Sequence, residues 1–168
     1  HWTYNMDLIE SYLAIFPEKK HSLLFDRKNY FYYDSYAFVA PRKEKHVLAG
    51  GRVRQYNAVV EDEQKKAFIE KRGELHSWVR TEDGTGSIYR TTLYEKLLCL
   101  ALVKFATLDP LGMGIEMEAG KPGWDDSLNG LPGLFGSGMP ESFELKRLIR
   151  FLLEVGEPGE TVVELPEE

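Results

Sequence analysis

Four carboxylates and a tryptophan crowd one stretch of this sequence. Glu116, Glu118, Trp124, Asp125 and Asp126 all fall between Met113 and Gly138. Carboxylates and amides bind sugar hydroxyls, an aromatic ring stacks on the apolar face of a sugar, and a protonated carboxyl can act on a glycosidic oxygen. Eight of the fifteen glycines lie between Gly112 and Gly138. A flexible linker with that much glycine would be Ser-rich and polar. Here Trp124, Leu128, Leu131, Leu134 and Phe135 are interleaved, which predicts a packed, irregular loop of the kind on which sites are built. The residues alone leave a plainer reading open. A Gly/Pro-rich stretch can be a cluster of turns, and Asp125-Asp126-Ser127 can cap a helix running from Ser127.

The elements that would position this loop are mainly helical. Leu8, Ile9, Tyr12, Leu13 and Phe16 form one stripe of an amphipathic helix over Met6 to Phe16, with Asn5 as N-cap and Pro17 as stop. A short helix is expected from Ser22 to Phe25. The aromatic, β-branched run Tyr30 to Val39 reads as extended, either core packing or the lining of a sugar cleft. Pro41 to Gly51 is basic and reads as a surface loop. Glu61 to Arg72 reads as an exposed helix with acidic residues first and basic residues last. Ser77 to Thr81 and Ser87 to Arg90 flank Asp83-Gly84-Thr85-Gly86 as a hairpin. Thr92 to Leu108 is apolar on nearly every face, which predicts burial on several sides. Ser142 to Val155 predicts a helix with Phe143, Leu145, Leu148, Ile149, Leu152 and Leu153 inward. Glu157 to Glu168 is acidic and reads as extended.

The word Pro122-Gly123-Trp124-Asp125-Asp126-Ser127-Leu128-Asn129-Gly130 separates the two readings of the loop. It resembles the catalytic loop of the cellobiose-phosphorylase-like group of inverting glycoside phosphorylases, which reads Gly-Asp-Trp-Asn-Asp-Gly-Met-Asn. The resemblance is specific over roughly 20 residues and architectural elsewhere. It implies a mainly α fold, part of an (α/α)6 barrel with short β-hairpins in its inter-helix loops. It implies inverting phosphorolysis of β-linked oligosaccharides, with Asp126 as general acid and Trp124 and Asn129 at the sugar. Trehalase-like barrels share a Gly-Trp-Asp word in which the acid directly follows the Trp, and by that alignment Asp125 is the acid. Leu128 and Asn129 continue the phosphorylase pattern and favour Asp126. Ser127 stands where that group has Gly, and Asp125 where it has Asn. An acid of this kind must stay protonated near neutral pH, well above the ~3.9 of a free Asp. Burial beside Trp124 and the like charge of Asp125 both push in that direction.

Other parts of the site follow from the same resemblance. An inverting hydrolase on this scaffold would need a carboxylate base, and Glu116 and Glu118 are the local candidates. Either is equally placed to hold a sugar hydroxyl or to pair with Lys121. The opening His1-Trp2-Thr3-Tyr4-Asn5 looks like a sugar-facing inter-helix loop, with His1 and Trp2 as substrate contacts. Phosphate is the co-substrate of a phosphorylase, and no other cofactor is implied. Ser137 and Gly138, ahead of a helix beginning near Glu141, are the one candidate nest for it. His21, His46 and His76 are scattered without metal-ligand spacing, so no metal is expected.

Composition narrows the partners. The net charge is −6 over 168 residues, which argues against nucleic acid and an anionic membrane surface. No apolar run approaches the ~20 residues of a membrane span. A single cysteine, Cys99, sits among leucines in the expected core, and this suits a reducing, cytoplasmic setting. By arithmetic, 168 residues suffice for one domain. A barrel of six helix pairs needs roughly twice that. With His1 in place of an initiating Met, residues 1–168 are expected to be the C-terminal part of an incomplete barrel. The rest of the polypeptide or another subunit would complete it. A non-catalytic carbohydrate-binding fragment is the alternative from a different class.

Overall fold

This computed structural model describes residues 2–41, 44, 46–55, 59–108, 114–116 and 137–156, and they are mainly helical with short strands. The helices are α1 (Trp2–Ile15), α2 (Glu63–Glu70), α3 (Leu93–Ala106) and α4 (Pro140–Val155), with a 3-10 turn at Pro17–Lys19 and a π turn at Ser22–Asp26. The strands are β1 (Ala37–Val39), β2 (His46–Ala49), β3 (Arg52–Gln55), β4 (Val59–Glu61), β5 (Ile115–Glu116) and β6 (Ser137–Gly138). The chain divides into two compact units. One comprises His1–Phe31, Arg90–Ala106 and Ser142–Glu168, and the other Tyr32–Tyr89 and Thr107–Glu141.

In the helical unit, α1 begins at Trp2, so Asn5 lies inside the helix and is not its cap. Pro17, which has no N–H to donate, ends it as expected. Only Met6 of α1 is buried. Arg147 of α4 ties the two helices together, donating to Glu10 Oε2 at 2.6 Å and Asp7 Oδ1 at 2.7 Å. These carboxylates raise the pKa of Arg147. Helix α4 buries Leu145, Leu148, Phe151, Leu152 and Val155. Phe143 and Leu153, expected inward, are exposed. At 3.6 residues per turn both lie roughly 140° from the centre of the buried stripe, so the real stripe is narrower than the sequence suggests.

Helix α3 opens on a capping box. Glu95 N–H donates to Thr92 Oγ1 at 3.2 Å, and Glu95 Oε2 accepts from Thr92 N–H at 2.8 Å and from the Thr91 hydroxyl at 2.6 Å. Thr91, Thr92 and Glu95 are all buried, so this carboxylate satisfies donors that water cannot reach. Leu93, Leu97 and Ala101 continue one buried stripe. Leu102, Val103 and Phe105 are exposed, which corrects the expectation that α3 is covered on several sides. Cys99 is half-buried. Lys96 donates to the Phe31 carbonyl, and its pKa is lowered by burial, partly offset by Cys99.

The second unit holds all six of these strands. β1 and β4 pair antiparallel, Phe38 opposite Val60. β2 and β3 pair antiparallel across Gly50 and Gly51, whose φ values of 58° and 73° suit a tight two-residue turn. The expected surface loop at Pro41 to Gly51 therefore contains a strand. Asp62 caps α2, its Oδ1 accepting from Gln64 and Lys65 N–H, each at 2.9 Å. Helix α2 runs from Glu63 to Glu70, shorter than the expected Glu61 to Arg72. The hairpin at 77–90 forms as expected around an Arg80–Ile88 bridge.

Glu95→Ala is expected to lower unfolding stability by about 1–3 kcal/mol, because it leaves the Thr91 hydroxyl and Thr92 N–H buried without their acceptor. Denaturant unfolding beside the Glu95→Gln protein, which keeps one acceptor oxygen and loses less, checks this.

Candidate functional site

Two short strands flank, in sequence, the segment that carries Glu118, Asp125 and Asp126. β5 and β6 pair antiparallel, with Ile115 opposite Gly138 and Glu116 opposite Ser137. Ile115 is buried at 2% exposure and also bridges Leu108. An apolar residue buried at one end of a two-rung ladder gives that ladder a fixed point. The ladder in turn sets Glu116 and Ser137 side by side. Asp125, Asp126, Trp124, Asn129 and Glu118 lie outside the described residues, as does His1. Glu116 stands in β5, at the base of the segment.

Ser137 and Gly138 are extended and paired in β6, and α4 begins at Pro140. A backbone nest needs alternating right- and left-handed residues. Ser137 and Gly138 are strand residues, and Gly136, the other member of the Gly136-Ser137-Gly138 word, lies outside the described residues. Trp2 is the first residue of α1 and not part of a loop. The Lys104 ammonium of α3 sits over its ring, 5.6 Å from the centroid, a contact that holds the indole in place.

Two side-chain arrangements escaped the sequence reading. Asp34, 7% exposed, receives Arg72 Nη1 at 2.5 Å on one oxygen and Lys65 Nζ at 3.0 Å on the other. Arg72 also lies over the Phe68 ring at 4.7 Å. Both cations read as parts of a solvated helix, yet they neutralise one buried carboxylate. The partners are separated by 38 positions for Arg72, a distance that periodicity cannot bridge. The second is the aromatic pair Tyr33 and Trp78, opposite one another in an antiparallel bridge. The run of aromatics at Tyr30 to Tyr36 was the only sequence signal for it.

Among the described residues no group of three or more His, Cys, Asp or Glu could hold a metal ion. Among them, too, no helix is long and apolar enough to cross a membrane. Comparison with known proteins finds no matching family, no matching curated protein and no matching solved structure.

The β5–β6 ladder depends on Ile115. Ile115→Ala is expected to cost about 2–5 kcal/mol of local stability. Backbone amide exchange at Glu116 and Ser137 should accelerate well beyond any change in α4. Unchanged exchange at both would mean that the ladder does not rely on this side chain.

Proposed function

We propose that this chain belongs to the catalytic barrel of a carbohydrate-active enzyme that cleaves β-linked oligosaccharides by inverting phosphorolysis. The observation that carries the reading is the word Trp124-Asp125-Asp126-Ser127-Leu128-Asn129, which resembles the catalytic loop of cellobiose-phosphorylase-like enzymes. Two structural facts support it. A ladder pairs Glu116 with Ser137, the described residues that flank 117–136 in sequence. The helices also carry apolar residues on faces they leave in water: Tyr4, Leu8 and Ile15 on α1, Val103 and Phe105 on α3, Phe143 and Leu153 on α4. Helices that are apolar on more than one side suit a layered assembly such as an (α/α)6 barrel. The partner proposed for those faces is the remainder of such a barrel, from the same polypeptide or another subunit.

In this reading the Asp126 carboxyl gives its proton to the glycosidic oxygen as the bond to the anomeric carbon breaks. A phosphate oxygen forms the new bond to that carbon from the opposite face. The products are a sugar 1-phosphate of inverted configuration and a sugar with a free hydroxyl. Trp124 stacks against the ring and Asn129 binds a hydroxyl, with Asp125 as the neighbouring charge that keeps Asp126 protonated. Phosphate supplies the nucleophile, so no second carboxylate is required. If water replaced phosphate, Glu116 or Glu118 would have to act as base.

Incubating the full-length protein with cellobiose, with and without inorganic phosphate, tests the reading. Phosphate-dependent release of glucose 1-phosphate is expected. Equal cleavage without phosphate would make the enzyme a hydrolase.

A further inference from the structure

Two isolated antiparallel bridges around Trp78 sort its neighbouring aromatic residues onto two faces. Asp34 N–H donates to the Ser77 carbonyl at 2.7 Å, and Val79 N–H donates to the Tyr32 carbonyl at 3.0 Å. These two bonds flank the Tyr33–Trp78 bridge, so that pair is of the non-hydrogen-bonded kind, in which facing side chains come closest. Thr81 N–H to the Ser87 carbonyl and Tyr89 N–H to the Val79 carbonyl, both 2.9 Å, flank Arg80–Ile88 in the same way. Trp78 and Arg80 are two apart on one extended segment and share a face. Tyr33, Trp78, Arg80 and Ile88 therefore lie on one side, and Tyr32, Val79 and Tyr89 on the other. The rings of Tyr32 and Tyr89 stack at 6.0 Å. Tyr33 is left 70% exposed, beside a half-buried Trp78. Arg80 is held next to them by its Nη1 bond to the Gly86 carbonyl at 3.2 Å, and its Nε is buried.

We propose that Tyr33 and Trp78 form an aromatic platform that binds one pyranose ring of an oligosaccharide, a site separate in sequence from the Trp124–Asn129 loop. Size decides the class of ligand. Two aromatic side chains offer about 300–500 Å² when fully exposed, and these two are partly covered. A stable protein interface needs ~800 Å² on each partner, so the platform is too small for one. A single sugar ring, with an apolar face for the indole and phenol and hydroxyls for the guanidinium, matches it. The net charge of −6 argues against stacked nucleic-acid bases as the occupant. The choice of a β-linked glucan rests on the proposed activity, whereas the geometry of the platform does not.

The test titrates cellotetraose into the full-length protein carrying Trp124→Ala, so that the loop contributes little, and follows the heat of binding. Binding is expected to persist and to weaken at least about tenfold when Tyr33→Ala is added. Tyr33→Trp in its place should retain it. Equal affinity with and without Tyr33, or no binding once Trp124 is replaced, would overturn the platform. Loss of binding on Tyr33→Ala in a protein that cleaves no disaccharide would uphold the platform and overturn the proposed activity instead.

Discussion

The helices of this protein carry more apolar surface than their own unit buries. Helix α3 sinks Leu93, Leu97 and Ala101 and leaves Leu102, Val103 and Phe105 in water. Helix α1 buries Met6 and exposes Tyr4, Leu8 and Ile15, the last two each 69% exposed. Burying a Leu, Ile or Phe side chain is worth about 1.5–3 kcal/mol, so several such residues in water forgo a sum comparable to a domain's whole stability. A monomer of this size rarely leaves so many large apolar side chains exposed without a binding partner for them. The proposed barrel offers that partner, because a second layer of helices covers the faces that the first layer cannot.

What the chain does bury, it arranges around paired carboxylates. Glu95 holds the start of α3 by accepting from Thr91 and Thr92, and Asp34 collects Arg72 and Lys65 in the other unit. Arg147 joins α4 to α1 through Asp7 and Glu10, whose side chains remain half-exposed, so solvent screens that clamp and it specifies geometry more than stability. Each of these groups has its partners and is committed to structure. The proposed chemistry falls instead to Asp125 and Asp126, which lie in sequence between β5 and β6. Scaffold and proposed chemistry thus draw on separate acidic residues.

Much of the helical architecture was legible in the sequence. Pro17 stops α1 where a residue without an N–H must stop it, and the leucine spacing of α4 marks its core face. Helix starts were less legible, because Asn5 is a good cap residue yet sits inside a helix that runs from Trp2. The exposed side of α3 was misread because periodicity reports how apolar a face is, not whether anything lies against it. β2 was hidden by basic composition, although Gly50-Gly51 was the turn signal that could have revealed it. Lys65 and Arg72 looked like solvent charges because their acceptor, Asp34, lies in a distant extended segment. For the site itself, the sequence supplied the chemistry of Trp124, Asp125 and Asp126. The structure adds the pairing of β5 with β6, in which Ser137 and Gly138 are strand residues.

The central claim is that Asp126 delivers the proton to the glycosidic oxygen. The direct measurement is phosphate-dependent turnover of cellobiose by the full-length protein carrying Asp126→Asn, compared with Asp125→Asn. An amide cannot donate the required proton, so the account predicts a loss of about 10²–10⁴-fold at Asp126. It predicts a smaller loss at Asp125, which acts only through its charge. Full activity of the Asp126→Asn protein would contradict the account.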